Sequence, residues 1–203
     1  MPVIRAARLE EVRRAVEAIC AGGIPVVEIT MTVPDAPKMI QELACTYGDK
    51  VLIGAGTVMN AKQAEVCLDA GAQFLVSPGL SIPVLETGRK RGVLTIPGAL
   101  TPTEVMTALE AGAELIKIFP CSSAGGPRHL RALKAPFPDG RFIPTGGVNL
   151  SNAAEYIAAG AFALGVGADL VDLQALRRNE PEKLSAAARA LVQMICLART
   201  EAS

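Results

Sequence analysis

The chain has 203 residues, of which 50% are hydrophobic and 20% charged, enough to bury a substantial core as one compact soluble domain over residues 1–203. Lysine plus arginine equals aspartate plus glutamate at 20 each, so no net field argues for nucleic acid or an anionic membrane as partner. A single histidine (His129), five scattered cysteines without a CxxC pair and no tryptophan leave little from which to build a histidine triad, a zinc site or a disulfide framework.

The opening "MPVIRA" is no charged-then-apolar leader, and no apolar run is long enough to cross a bilayer, so a reducing, cytoplasmic setting is expected. "PVIRA" (2–6) reads as the first strand, with Arg5 at its end, and "RLEEVRRAVEAIC" follows as a helix with apolar residues three and four apart. Glycine then punctuates the chain every twenty to twenty-eight residues, at Gly22, Gly48, Gly71, Gly92, Gly112, Gly140 and Gly160. Each suits the left-handed position past a helix and precedes an apolar run. The runs are "VVEITM" (26–31), "VLIGAGT" (51–57), "QFLVS" (73–77), "VLTIP" (93–97), "ELIKIF" (114–119), "RFIPT" (141–145) and "FALGVG" (162–167), giving eight strands in all. Segments such as "AKQAEVCLDA" and "TPTEVMTALEA" are the intervening helices, and "PEKLSAAARALVQMICLART" is a long final one. Strands apolar on both faces alternating with helices imply a parallel α/β fold, and eight uniform units favour a (β/α)8 TIM barrel. An open doubly wound sheet is the rival architecture, although the first strand leads into "ARLEEV" rather than a GxGxxG loop.

Working residues of such a barrel sit at the C-terminal ends of its strands. Alternation places Leu115, Lys117 and Phe119 on one strand face and Ile116 and Ile118 on the helix-facing side, so Lys117 points inward. Glu28 and Thr30 point inward by the same rule. A buried Lys117–Glu28 salt bridge serving only packing is one reading; a desolvated lysine nucleophile with a carboxylate for proton transfer is the other. Glycine-rich ends at "GAGTV", "SPGL", "IPGALTPTE", "PTGGVN" and "GVGA" either make tight turns or bring backbone close to a ligand. "TGGVNLSN" leads into a helix whose amino end is suited to an anion. Cys121, beside the lysine strand, has no base placed to activate it and reads as a packing residue.

With "EIT", "GAGTV", "SPGL", "IPGALTPTE", "KIFP" and "PTGGVN" in this order, from Val3 to about Val171, the sequence resembles the 2-keto-3-deoxy-6-phosphogluconate (KDPG) and 4-hydroxy-2-oxoglutarate (KHG) aldolases. The resemblance implies a homotrimeric class I aldolase that needs no cofactor or metal and acts on pyruvate and a small, phosphorylated aldehyde. Lys117 then matches the Schiff-base lysine and Glu28 the proton shuttle. Thr57, Pro97 and Phe119 match residues around the pyruvyl group, while Gly146 and Gly147 offer N–H groups to phosphate, with Thr145, Gly167 and Ala168 at the same strand ends. The pattern departs twice: Thr32 stands where many relatives hold the substrate carboxylate with arginine, a role Arg5 could take over, and Ala168 stands where many have a phosphate-binding serine. An aldolase for unphosphorylated 2-oxo acids, a phosphate-binding barrel and a trimeric scaffold are the other readings.

Overall fold

The computed structural model describes residues 1–201. In chain order the elements are β1 (Val3–Ile4), α1 (Leu9–Ala21), β2 (Val26–Thr30), α2 (Ala36–Tyr47), β3 (Leu52–Gly56), α3 (Ala61–Asp69), β4 (Phe74–Val76), α4 (Ile82–Lys90), β5 (Leu94–Ile96), β6 (Gly98–Ala99), α5 (Pro102–Glu110), β7 (Ile116–Ile118), α6 (Pro127–Lys134), β8 (Phe142–Pro144), α7 (Ala153–Ala158), α8 (Leu173–Arg177) and α9 (Pro181–Glu201).

Helices form where periodicity and end chemistry agree. In α1, Val12, Ala15, Val16 and Ile19 make the buried stripe, and Glu10 and Glu11 occupy the first turn, where the helix dipole favours acid. Thr101 and Glu104 form a reciprocal capping box at the start of α5, with Pro102 just inside the first turn. Asn60 caps α3 by accepting from the Gln63 N–H, and Asp172 caps α8 through the N–H groups of Gln174 and Ala175.

All strand pairs are parallel, in a five-stranded sheet ordered β1-β2-β3-β4-β5 and a three-stranded sheet ordered β6-β7-β8. The fold is therefore α/β with parallel sheets, as the alternation of elements predicts. The expected closed ring of eight regular strands is not what the hydrogen bonding draws. The run 93–97 is continued as β6, with Pro97 between β5 and β6, because proline has no N–H for the ladder. The expected strand at 162–167 is reduced to single bridges, Val166 with Pro2 and Gly165 with Thr145. Its glycines explain this: a Cβ at Gly165 would lie 2.1 Å from Thr145 Oγ1, so the position is kept bare for a neighbour rather than for strand propensity.

Two apolar clusters show which strand face is which. Val27, Ile29, Ile116 and Ile118 join the main core beneath the helices, while Phe74, Val76, Ile96 and Ile143, drawn from both sheets, form a second cluster with Val26 and Leu115 against it. The sheets thus share an inner face, and Glu28 and Lys117 belong to it, as alternation predicts. Five of the seven expected helix-stop glycines have positive φ; Gly22 and Gly140 do not. Gly22 is instead a contact glycine, since its missing Cβ leaves room for Ala188 where α9 crosses the end of α1. Among the described residues no helix is long and apolar enough to cross a membrane.

Candidate active site

The register places Glu28 between Val3 and Gly54, and Lys117 between Gly98 and Ile143, so each charge is held mid-sheet by both neighbours. Lys117 N–H donates to Pro97 O at 2.9 Å, which fixes the strand at the position where proline interrupts its partner. Both side chains are buried, Glu28 at 0% and Lys117 at 2% exposure. They form no ion pair with each other among the described residues, and neither carboxylate oxygen of Glu28 has a hydrogen-bond partner. The purely structural salt bridge is thus absent; what the fold holds is a desolvated amine and a desolvated carboxylate within each other's field.

Desolvation dominates both groups. Burial pushes the Glu28 carboxyl above its ordinary range, with the charges of Lys117 and Arg5 pulling the other way. Burial likewise lowers Lys117, opposed by Glu28 and reinforced by Arg5. Each shift favours the uncharged form, which for lysine is the nucleophilic one. The Lys117 ammonium position lies 5.0 Å from the centre of the Phe119 ring, so an apolar surface flanks the nitrogen.

Room for Glu28 comes from glycine. A Cβ at Gly56 would stand 1.8 Å from Glu28 Oε1, and one at Gly54 would stand 2.2 Å from the Phe74 ring. "GAG" in β3 reads from sequence as either a tight turn or backbone approaching a ligand; in the structure it makes space for the catalytic candidate on the adjacent strand. The alternation rule could have found this, because Gly54 and Gly56 sit on the same face as Glu28. At the end of β3, Thr57 adopts φ 58°, a left-handed conformation costly for a β-branched residue and commonest where function demands it. Thr57 shares no hydrogen bond with the other candidates.

The remaining candidates gather at the ends of neighbouring strands. Phe119 packs beside Gly146, whose missing Cβ would be 3.3 Å from the ring. Gly146 and Gly147 have φ of 89° and 76°, and the N–H groups of Gly146, Gly147 and Val148 make no hydrogen bond among the described residues. The N–H groups of Gly167 and Ala168 are free in the same way. Consecutive free N–H groups in a turn with positive φ make an anion-binding concavity. The helix that follows, α7, begins only at Ala153, and in the segment between it and the glycines the Asn149 and Asn152 side chains take the N–H groups of Asn149, Ser151 and Asn152.

Arg5, exposed and without a hydrogen bond or ion pair from its side chain among the described residues, extends toward this second loop. Its Nη1 lies 3.4 Å from the position of a Cβ on Gly167, and it lines a cavity of about 270 Å³ with Ala168, Asp172 and Gln174. Thr32, where the resemblance leads one to expect an arginine, is joined to Thr30 by a 2.9 Å hydroxyl contact. Thr145 is 4% exposed and its hydroxyl donates to Ile143 O at 3.3 Å. Cys121 is buried, and burial raises its thiol above the ordinary range, in keeping with a packing role. No group of three or more His, Cys, Asp or Glu side chains suited to a metal ion occurs among the described residues.

The family model for KDPG and KHG aldolase matches residues 1–187. The chain is 34% identical over 193 residues to the KHG/KDPG aldolase of Escherichia coli (strain K12), covering 95% of this chain and 90% of that one. Among solved structures it resembles the KDPG aldolase of Legionella pneumophila with pyruvate captured at low pH as a covalent carbinolamine intermediate, at TM-score 0.88 and 36% identity over 94% of this chain and 92% of that one. A porous protein cage designed by fusing symmetric oligomeric domains matches at TM-score 0.88 and 33% identity, covering 98% and 73% of the respective chains.

Proposed function

The chain belongs to the KDPG and KHG aldolase family, and we propose that it cleaves 2-dehydro-3-deoxy-6-phosphogluconate reversibly into pyruvate and glyceraldehyde 3-phosphate through an imine on Lys117, with 4-hydroxy-2-oxoglutarate as a further substrate. It is thus an aldehyde-lyase. The observation that carries the mechanism is a buried lysine beside a buried carboxylate whose two oxygens are unpartnered. A pair kept for stability would be joined or replaced by apolar residues, because two desolvated charges without a direct bond are a net cost.

The neutral Lys117 Nζ attacks the C2 carbonyl of the substrate to give a carbinolamine, whose hydroxyl takes the proton of the Glu28 carboxyl and leaves as water, giving the protonated imine and a Glu28 carboxylate. Glu28, directly or through one water, takes the proton of the C4 hydroxyl. The C4–O⁻ electrons form the aldehyde carbonyl, the C3–C4 bond breaks, and its electron pair enters the imine as an enamine. Glu28 returns the proton to C3, and water then hydrolyses the protonated imine to release pyruvate and the neutral amine, the proton set free restoring the Glu28 carboxyl. The iminium is the electron sink, so the chain supplies the whole sequence from two side chains.

Thr57, Pro97 and Phe119 surround the pyruvyl group in this reading, and Thr145 borders the reacting carbons. The free N–H groups of Gly146, Gly147, Gly167 and Ala168 hold the phosphate. Arg5 supplies a guanidinium to a substrate anion; its position against Gly167 supports the phosphate end, whereas the gap left at Thr32 supports the carboxylate end. Arg5→Ala separates the two, raising KM for the phosphorylated aldehyde in the first case and for pyruvate in the second.

Both sheets are read as arcs of one (β/α)8 barrel spanning the single domain, of which residues 202 and 203 lie outside the described residues. The bridges from 165–166 to Pro2 and Thr145, and the run 94–99 broken only at Pro97, support this. A homotrimer is the proposed assembly, supported by the match to a cage built from symmetric oligomeric domains. Five free cysteines, two of them buried, favour a reducing compartment such as the cytoplasm.

Borohydride reduction in the presence of pyruvate, followed by mass mapping, tests the mechanism. The expected adduct is on Lys117 and disappears in Lys117→Ala; folded protein that gains no adduct would sink it. Ala168 favours a second reading, in which unphosphorylated 2-oxo acids are preferred, and the ratio of kcat/KM between the two substrate types decides.

A further inference from the structure

Ser122 lies just past β7 and opens a single 3-10 turn, Ser122–Ala124. Two backbone bonds stitch this segment to the loop after β8: Cys121 N–H donates to Thr145 O at 2.9 Å and Ser122 N–H to Gly146 O at 3.1 Å. Gly125 and Gly126, at φ 117° and 63°, turn the chain back so that Gly126 N–H closes on Cys121 O at 2.9 Å. The serine side chain is thereby laid directly on Gly147: a Cβ there would fall 2.4 Å from Ser122 Cβ and 2.7 Å from its Oγ. Only glycine leaves the hydroxyl this place.

That hydroxyl has no structural employment. It caps no helix, makes no hydrogen bond among the described residues and is exposed, and it lies against Gly147, whose N–H, like that of Gly146, has no partner among the described residues. The Thr145 hydroxyl is engaged with the Ile143 carbonyl, and residue 168 is an alanine. A phosphate monoester presents three acceptor oxygens and is best held by donors of more than one direction. Backbone N–H groups supply one set of directions, and a serine laid against Gly147 supplies another.

We propose that Ser122 is a specificity-determining residue of this site, its hydroxyl donating to the substrate's phosphate alongside the N–H groups of Gly146 and Gly147. The inference rests on the reading of that loop as the phosphate end of the aldolase site. A hydrogen bond to a charged oxygen corresponds to at least a tenfold preference.

Two measurements on Ser122→Ala and Ser122→Thr test it, with the wild-type chain as reference. The first is calorimetric titration with inorganic phosphate, which does not depend on imine chemistry. The second is the ratio of kcat/KM for 2-dehydro-3-deoxy-6-phosphogluconate over that for 4-hydroxy-2-oxoglutarate. Ser122→Ala is expected to weaken phosphate about tenfold and lower the ratio about tenfold, and Ser122→Thr, which keeps the hydroxyl, to restore most of both. Unchanged phosphate affinity in Ser122→Ala overturns the proposal, as does an equal loss on both substrates, which would mark a loop-positioning role. Wild-type protein that binds phosphate through Ser122 but traps no pyruvate on Lys117 would leave the Ser122 contact standing and remove the aldolase reading.

Discussion

Replacing Gly56 by alanine isolates the positioning of Glu28 from its identity. Gly56 is in β3, opposite Thr30, with a φ that alanine also adopts, so the backbone gives no objection. The added Cβ would stand 1.8 Å from Glu28 Oε1, 2.4 Å from its Cδ and 2.5 Å from its Cγ. Non-bonded atoms settle near 3.5 Å, so the carboxylate must retreat by roughly 1.5 Å. Because the obstructed group is the end of a side chain, the fold can yield there, at a cost of about 1–3 kcal/mol. Catalysis has no such latitude: a misplacement of about 1 Å costs on the order of 100-fold. Gly56→Ala should therefore lower kcat about 100-fold, roughly 2.7 kcal/mol in barrier. Pyruvate release followed through lactate dehydrogenase gives kcat, and borohydride trapping reports whether Lys117 still forms its imine, which it should. A folded Gly56→Ala protein with kcat within about threefold of the parent would refute the idea that this glycine sets the position of the proton carrier.

Two further changes test the frame around the site. Glu11 is buried and accepts from Arg177 at 2.9 Å and from Arg8, which holds its carboxyl down at about 2. A carboxyl lowered on folding contributes stability that is complete above its unfolded pKa of 4.5 and lost as pH falls toward 2. Water around the partly exposed arginines limits the gain to about 1 kcal/mol. Glu11→Gln should lose that amount at pH 7 in urea denaturation, with the difference from the parent vanishing by pH 2; a constant difference across this range would contradict the assignment. Gly22→Ala puts a Cβ 2.4 Å from Ala188 Cβ and 2.6 Å from Ser185 O, both on α9. Overpacking there should cost about 2 kcal/mol and lower Tm by roughly 4–8 °C without altering kcat at 25 °C; an unchanged Tm would mean that the α1–α9 contact is loose.

Much of the architecture is legible in the sequence because it is local. The apolar spacing of α1, the Thr101–Glu104 cap and the period-two sorting of Leu115, Lys117 and Phe119 from Ile116 and Ile118 depend on residues within a turn or a strand of each other, and the structure bears them out. Reading failed where a residue serves a distant neighbour. Gly22 and Gly140 have the sequence context of left-handed helix stops, yet Gly22 exists for Ala188 and Gly140 for the ring of Phe142. "FALGVG" has the composition of a strand, but Gly165 yields its place to Thr145 and the ladder thins to single bridges.

By itself the sequence determined that this is a parallel α/β chain, that a lysine and a glutamate turn away from the helices, and which glycine-rich loops end the strands. Those properties follow from backbone geometry, which repeats every two or 3.6 residues whatever lies across the core. Tertiary structure alone decided that Glu28 is left without a partner instead of bonded to Lys117, that Gly56 clears its space and that Ser122 rests on Gly147. Each joins residues from different strands, and the distance between such residues is set by how the whole set of side chains packs, to within the fraction of an ångström on which a hydrogen bond or a clash depends.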